Sequence, residues 1–379
     1  MTVLVLNTGS SSIKFAAYQG PELVLRGGLG GIGQGRAVLK MAQDFAGFGA
    51  LEVPEGEGLE RWLLGQLQQL FPDVVAVGHR IVHGGRKFSV PVVLDAGAMA
   101  ELQALAPLAP LHMPHNLAGV GAAAKVWPQA LQVGCFDTGF HRTQPEIAQR
   151  FAIPQALHEA GVQRYGFHGL SYQFIAESLP EHIGAAAKGR VVVAHLGNGA
   201  SLCAMLGGES RATTMGMTAL DGLMMGTRSG AIDPGVLLYL MEAQGYSAAA
   251  VSDLLYNRSG LLGVSGVSGD VRSLEAAGDP GEALALFARM ARQGIAQMAA
   301  SIGGLDVLVF TGGIGENSQR MRADICEGLD WMGVAVDAAA NAAGAVQIGA
   351  GMAQVMVLPT DEESVIAAAT MALAGADLA

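Results

Sequence analysis

Asp137 closes an apolar run in Phe136-Asp137-Thr138-Gly139-Phe140-His141. A carboxylate at a strand end often lines a cleft in α/β folds and is well placed to hold or polarise Mg²⁺, and an Asx turn accounts for the same residues. Arg80 lies in Gly78-His79-Arg80-Ile81-Val82-His83-Gly84-Gly85. Strand alternation puts positions 79, 81 and 83 on one face and Arg80 with Val82 on the other. A guanidinium fork beside an apolar wall suits a small carboxylate, with the oxygens on the fork and the methyl on the wall; an Arg on an edge strand is the plainer reading. His79 and His83 are too far apart along a strand, with no acidic companion, to make a metal pair. His112 and His168 sit in loops, where histidines are more often solvated than catalytic. Arg228, in Met225-Gly226-Thr227-Arg228-Ser229-Gly230, projects from a glycine-flanked loop, a setting suited to neutralising charge on a transferring phosphoryl group. Asp270 and Arg272 either touch a nucleotide or close a turn.

Three apolar runs end in small, polar loops: Asn7-Thr8-Gly9-Ser10-Ser11-Ser12 with Lys14 beyond, Gly197-Asn198-Gly199-Ala200-Ser201, and Gly312-Gly313-Ile314-Gly315-Glu316-Asn317. Turns of this kind aim several backbone N–H groups at one point and make anion pockets, although a hairpin needs the same residues for φ > 0. No G-x-x-x-x-G-K-[ST] is present, Gly313-Ile314-Gly315 lacks the third glycine of the dinucleotide fingerprint, and Gly9-Ser10-Ser11-Ser12 is not a nucleophile elbow.

The elements that must hold these groups alternate. Strands are expected at 3–6, 13–18, 74–82, 132–136, 191–196, 202–206 and 306–311. Helices are expected at 59–71, 97–105, 171–177, 281–302 and 362–374, the last with Thr360 as N-cap, and the Pro-rich 108–115 reads as loop. The mixture is α/β, and strand–turn–strand units near residues 3–18 and 191–206 hint at a duplicated architecture. A chain of 379 residues suggests two domains, 1–147 and 148–361, with a C-terminal helix, 362–379, packing back on the first. Acidic residues outnumber basic ones, 33 to 22, with no basic run, which argues against nucleic acid. Three scattered cysteines, no charged-then-apolar leader and no apolar run long enough to span a bilayer make the cytoplasm the expected location, without a membrane partner.

Taken together, the stretches 6–14, 78–85, 108–112, 136–141, 165–169, 195–199, 224–234, 263–272, 310–318 and 359–363 resemble, in order, the acetokinase family of short-chain carboxylate kinases. The resemblance implies the acetate and sugar kinase/Hsp70/actin fold, two similar α/β domains flanking a nucleotide cleft, a homodimer, and phosphoryl transfer from ATP to acetate, giving acetyl phosphate and ADP. It puts Asn7 and Glu362 at a Mg²⁺ site, with Mn²⁺ as the alternative ion. Ser10, Ser12, Lys14, His195, Leu196, Gly197, Asn198 and Gly199 would surround the ATP phosphates. Asp270, Val271 and Arg272 with Gly313, Ile314, Gly315, Glu316 and Asn317 would meet the nucleoside. Arg80 would bind the carboxylate, with Val82, Leu111 and Phe167 around the methyl group. Asp137, His168 and Arg228 would act on the reacting groups, with His112 in support.

The family usually has proline where this chain has Ala219, in the acyl pocket, and often asparagine where it has Gly269. The smaller alanine keeps propionate or butyrate open as the substrate. An Hsp70- or actin-like nucleotide switch is the reading from another class, and such a module has no use for Arg80 beside Val82.

Overall fold

The computed structural model describes residues 1–9, 12–32, 36–42, 48–56, 58–110, 112–278 and 282–377. Ser10 and Leu111, both expected in the site, lie outside the described residues. The chain forms two compact units, Met1–Gly139 with Asp361–Ala379, and Phe140–Thr360.

The first unit is built on β1 (Thr2–Thr8), β2 (Ser12–Gln19), β3 (Glu22–Gly30), β4 (Val38–Met41), β5 (Val74–Ile81), β6 (Val92–Val93) and β7 (Leu131–Phe136), in the order β4-β3-β2-β1-β5-β7-β6. β1 to β4 form an antiparallel meander, and β5 and β7 extend it in parallel with β1. Strand alternation sorts the side chains. Leu4 and Leu6 join Phe15, Leu25, Leu63, Leu67 and Trp127 in a core beneath the helices Leu59–Leu70 and Met113–Val126. Val3 and Ala76 face the other way, against Ala374 of the C-terminal helix Glu362–Asp377.

The second unit is built on β8 (Arg190–Leu196), β9 (Ala200–Leu206), β10 (Glu209–Thr213), β11 (Val307–Thr311) and β12 (Gln354–Val357), in the order β10-β9-β8-β11-β12. Again a meander of three strands is followed by two parallel ones. The run β3-β2-β1-β5-β7 in one sheet and β10-β9-β8-β11-β12 in the other share order and direction, so the duplication suggested by the two hairpins extends to five strands. The helix Gly169–Ile183 covers one face of the second sheet through Tyr172, Ile175 and Leu179.

Three local expectations fail. The Pro-rich 108–115 is not all loop, because Pro114 lies in the first turn of Met113–Val126, where a missing N–H leaves nothing unsatisfied. Gly312–Asn317 is a short helix rather than an open turn. The C-terminal helix is capped by Asp361, whose Oδ1 accepts from Ser364 N at 3.0 Å, and not by Thr360.

Two glycines set how closely helices approach the first sheet. A Cβ on Gly119 would lie 2.6 Å from Thr8 Oγ1, so the helix Met113–Val126 rests on the end of β1. A Cβ on Gly78 would lie 2.2 Å from Thr370 Oγ1 and 2.6 Å from Ile366 Cγ2. Gly78→Ala is therefore expected to push the C-terminal helix off β5, destabilising the protein by about 1–3 kcal/mol. The helix carries Glu362, so activity should fall with it. A thermal midpoint equal to that of the parent would show that the contact relaxes freely.

Candidate active site

In the first unit the parallel strands bring a substrate-binding candidate and a catalytic candidate together. Arg80, on β5, and Asp137, just past β7, meet because β5 and β7 pair in register from Ala76 with Leu131 to Ile81 with Phe136. Arg80 Nε donates to Asp137 Oδ1 at 2.8 Å and Nη2 to Oδ2 at 2.6 Å, a bidentate pair. Glu362 Oε2, from the first turn of the C-terminal helix, lies 3.6 Å from Arg80 Nε. The Asp137 side chain is 1% exposed and that of Arg80 24%. Burial works against the Arg80 charge, but the two carboxylates outweigh it and hold the guanidinium protonated. Burial pushes the Asp137 carboxyl up; the Arg80 fork opposes this, and Glu362 adds to it. A guanidinium has five N–H groups and this pair uses two, so the Nη1/Nη2 edge of Arg80 retains a second fork.

Asn116 was not picked out from the sequence. Its Nδ2 donates to Thr8 O at 2.7 Å and its Oδ1 accepts from Val82 N at 3.0 Å, which ties the ends of β1 and β5 to one helix. Nothing in the sequence near Asn116 marks it; only the fold shows what it joins. Asn7 is half-buried on β1 and directly opposite the exposed Lys14 on β2. Ser12 O accepts from Gly9 N at 2.8 Å and so closes the hairpin. Val82 is buried, and His112 is the half-buried residue preceding the helix Met113–Val126. His79 is buried against Gln132 Oε1 at 2.8 Å, and burial lowers its pKa to about 4.

In the second unit, His168 is buried rather than solvated, contrary to the usual behaviour of loop histidines. Its φ of 59° makes it the one non-glycine residue in the left-handed region among the described residues, a strain that tends to collect at functional sites. Its Nδ1 lies 2.8 Å from Ser201 Oγ, and its ring stacks on that of His195 with centroids 4.3 Å apart. Arg228 Nη1 donates to Ala219 O at 2.5 Å. A Cβ on Gly199 would lie 2.9 Å from Arg228 Nη2 and 3.0 Å from His168 Nε2, so the guanidinium and the imidazole converge over a backbone position without a side chain.

The expected nucleotide residues from His195 onward also cluster in this unit. Thr311, at the end of β11, pairs with His195 on β8, and a Cβ on Gly197 would come within 3.8 Å of Gly313 N. A Cβ on Gly312, at φ +78°, would lie 2.8 Å from Leu196 O, so the loops at the ends of the two parallel strands touch. A Cβ on Gly226 would meet both Asn198 Oδ1 and Gly269 O, which brings in the segment leading to Asp270. Asp270 caps the helix Val271–Ala276 by accepting from Ser273 N at 3.0 Å. That bond, followed by Arg272, holds its carboxyl below the usual range. Glu316 Oε1 accepts from Gly312 N at 2.9 Å, and Asn317 Nδ2 donates to Gly313 O at 2.9 Å. A buried arginine that sequence reasoning missed, Arg322, braces this loop by donating to Gly315 O and Glu316 O, both at 2.9 Å, and to Asn341 Oδ1 at 2.7 Å. Phe167 is fully buried and Ala219 half-buried.

The sequence matches the acetokinase family over residues 2–368. It is 50% identical over 384 residues to an acetate kinase of Rhodopseudomonas palustris (strain TIE-1), covering 96% of each chain. The crystal structure of Porphyromonas gingivalis acetate kinase superposes with a TM-score of 0.84 at 39% identity, over 98% of this chain and 99% of that one. A propionate kinase from Francisella tularensis subsp. tularensis SCHU S4 superposes with a TM-score of 0.86 at 35% identity, over 98% and 99%. Repeated meander-and-parallel units, glycine-rich loops at strand ends and paired guanidinium and carboxylate groups thus define a phosphotransferase of the acetate and sugar kinase/Hsp70/actin fold. The chain belongs to the acetokinase family, and is an enzyme whose phosphoryl acceptor is a carboxyl group.

Proposed function

We propose that this enzyme moves the γ-phosphoryl group of ATP directly onto acetate, reversibly and in line, giving acetyl phosphate and ADP. The observation that carries the reading is Arg80, fixed by Asp137 on its Nε/Nη2 edge and retaining an Nη1/Nη2 fork for a second carboxylate. Carboxylic acids lose their proton at roughly pH 4, so the acceptor arrives ionised and no base is required to make the nucleophile. Asp137 then orients Arg80 rather than abstracting a proton. What remains is electrostatic, the approach of one anion to another, and catalysis is mostly positioning and charge neutralisation. Arg228 and His168 meet the equatorial oxygens of the transferring group, and His112 supports the site. Val82, Leu111, Phe167 and Ala219 surround the acyl chain. Ser10, Ser12, Lys14 and His195 to Gly199 hold the phosphates, while Asp270 to Arg272 and Gly313 to Asn317 meet the nucleoside.

Oxygen donors suit Mg²⁺. Asn7 and Glu362 belong to the first unit, and no group of three or more His, Cys, Asp or Glu among the described residues makes an all-protein cage. Two such oxygens would suit an ion that keeps most of its waters, as Mg²⁺ does; Mn²⁺ is the alternative. Bound there, it supplies charge neutralisation on the phosphates.

Trapping acyl phosphate with hydroxylamine across formate, acetate, propionate and butyrate tests the function. ATP consumption that does not depend on an added carboxylate would point to a nucleotide switch instead.

Ala219 favours propionate as a second substrate. Burying one methylene is worth about 0.8 kcal/mol, roughly fourfold in binding. Propionate should be used appreciably, and Ala219→Pro should shift the propionate/acetate ratio of kcat/KM toward acetate by a factor of a few, since apolar pockets discriminate single methylenes by only about 1–3 kcal/mol. Because Ala219 O holds Arg228, kcat on acetate is the control for that contact. An unchanged ratio would mean that neighbouring side chains fill the space.

A homodimer and a cytoplasmic location complete the proposal. The helix Pro234–Glu242 has no buried residue, and Val236, Leu238 and Tyr239 are 43%, 53% and 57% exposed, an apolar surface suited to a second copy. Sedimentation equilibrium reads this directly. No helix among the described residues is long and apolar enough to cross a membrane.

A further inference from the structure

The hydrogen bonds behind His168 determine which of its nitrogens carries the proton. Tyr172, on the helix Gly169–Ile183, is completely buried, as is Ser201 on β9. Tyr172 OH lies 2.5 Å from Ser201 Oγ, and Ser201 Oγ lies 2.8 Å from His168 Nδ1. Burial, followed by Cys203, raises the phenol pKa well above its ordinary value, so the phenol keeps its proton. Ser201 Oγ is the one hydrogen-bond partner of that phenol among the described residues.

The serine has a single proton. If it donated to the phenol, the phenolic O–H would be left buried and unsatisfied, at a cost of about 1–3 kcal/mol. If the phenol donates to Ser201, the serine proton goes to His168 Nδ1 and every group is satisfied. Nδ1 is then an acceptor, and the ring proton sits on Nε2. Nε2 is the nitrogen that converges with Arg228 Nη2 over Gly199. A neutral ring also suits its neighbour, because the like charge of the adjoining guanidinium disfavours an imidazolium.

We propose that Tyr172 and Ser201 are positioning residues that hold His168 as the neutral Nε2–H tautomer, so that it presents a fixed hydrogen-bond donor to the phosphoryl oxygens. This rests on the reading that His168 meets the transferring group. The strained backbone of His168 has the same effect: it aims the ring, and the serine sets the proton.

The test uses the full-length enzyme. Long-range ¹H–¹⁵N correlation spectra of the imidazoles, with His168 assigned by its loss in His168→Gln, should show a bare Nδ1 and a protonated Nε2 in the parent. Tyr172→Phe keeps the packing but releases Ser201 to accept instead, so the His168 signals should shift toward a tautomer mixture. Its kcat should fall ~10-fold, with the KM values for acetate and ATP within about twofold of the parent, because the donor matters only to the transition state. Ser201→Ala should fall further. A protonated Nδ1 in the parent overturns the proposal, as does a Tyr172→Phe enzyme with parental kcat and parental His168 signals. The parental spectrum needs no variant, so the test survives if Ser201→Ala does not fold. A near-normal kcat in His168→Gln would instead sink the catalytic role assigned to His168, a separate failure.

Discussion

Arg228→Ala is expected to lower kcat by about 10²–10³ and leave the KM values for acetate and ATP nearly unchanged, the signature of a group that acts on the transition state. The geometry gives the reason. One arm of the guanidinium is anchored on Ala219 O at 2.5 Å, and the other stands beside His168 Nε2 over Gly199. An anchored cation needs no reorganisation as charge builds on the equatorial oxygens. Arg228→Lys keeps the charge but cannot make both contacts, so it should recover only part of the rate. Single-turnover mixing of ATP with acetate separates chemistry from product release, and an Arg228→Ala enzyme with a near-parental chemical step would remove the residue from the mechanism.

Arg80→Ala should fail differently. Lost charge-assisted hydrogen bonds, worth about 1.5–3 kcal/mol, predict a fall of roughly 10–100-fold in kcat/KM for acetate, expressed mainly in KM, with ATP binding nearly intact. The structure adds a stability defect. Asp137, at 1% side-chain exposure, loses its counter-ion, and stranding a buried charge costs about 3–5 kcal/mol. Burial already pushes this carboxyl up, so in the variant it stays protonated to higher pH than in the unfolded chain. The added instability should be small below the ordinary carboxyl range and should grow as pH rises above it, which melting curves at pH 5 and pH 8 would resolve. The double variant Arg80→Ala, Asp137→Asn should recover stability but not acetate saturation. Unaltered saturation by acetate in Arg80→Ala would show that the substrate binds elsewhere.

Most of the fold was legible because its strands are strongly apolar and end abruptly. The hairpins around residues 8–12 and 197–200 and the strands ending at Ile81, Phe136 and Thr311 all follow from that pattern. What local pattern could not supply was the partner of each charged group. Arg80 and Asp137 are 57 residues apart, and the fork between them exists only because β5 and β7 are neighbours. Asn116, Ser201, Tyr172 and Arg322 are ordinary residues in sequence and gain meaning only through what they reach. The N-cap at Asp361 was missed because Thr360 beside it is also a capping residue by type, and backbone geometry decides between adjacent candidates.

The route of the chain through its two units has a consequence for biosynthesis. Phe140–Thr360 is contiguous, so a growing polypeptide holds all of the second unit before residue 361 has been made. The first unit is different: its sheet is translated before the second unit, and the helix that covers Val3 and Ala76 after it. Arg26 Nη2 reaches Asp361 at 2.6 Å, so β3 also waits for that segment. Until then Val3 and Ala76 lack the helix they pack on. Domains generally mature from the N-terminus during synthesis, and here the second unit is complete in sequence before the first. Glu362 arrives with the same helix, so a ribosome that stalls short of it releases a chain with neither the covering layer nor that carboxylate beside Arg80.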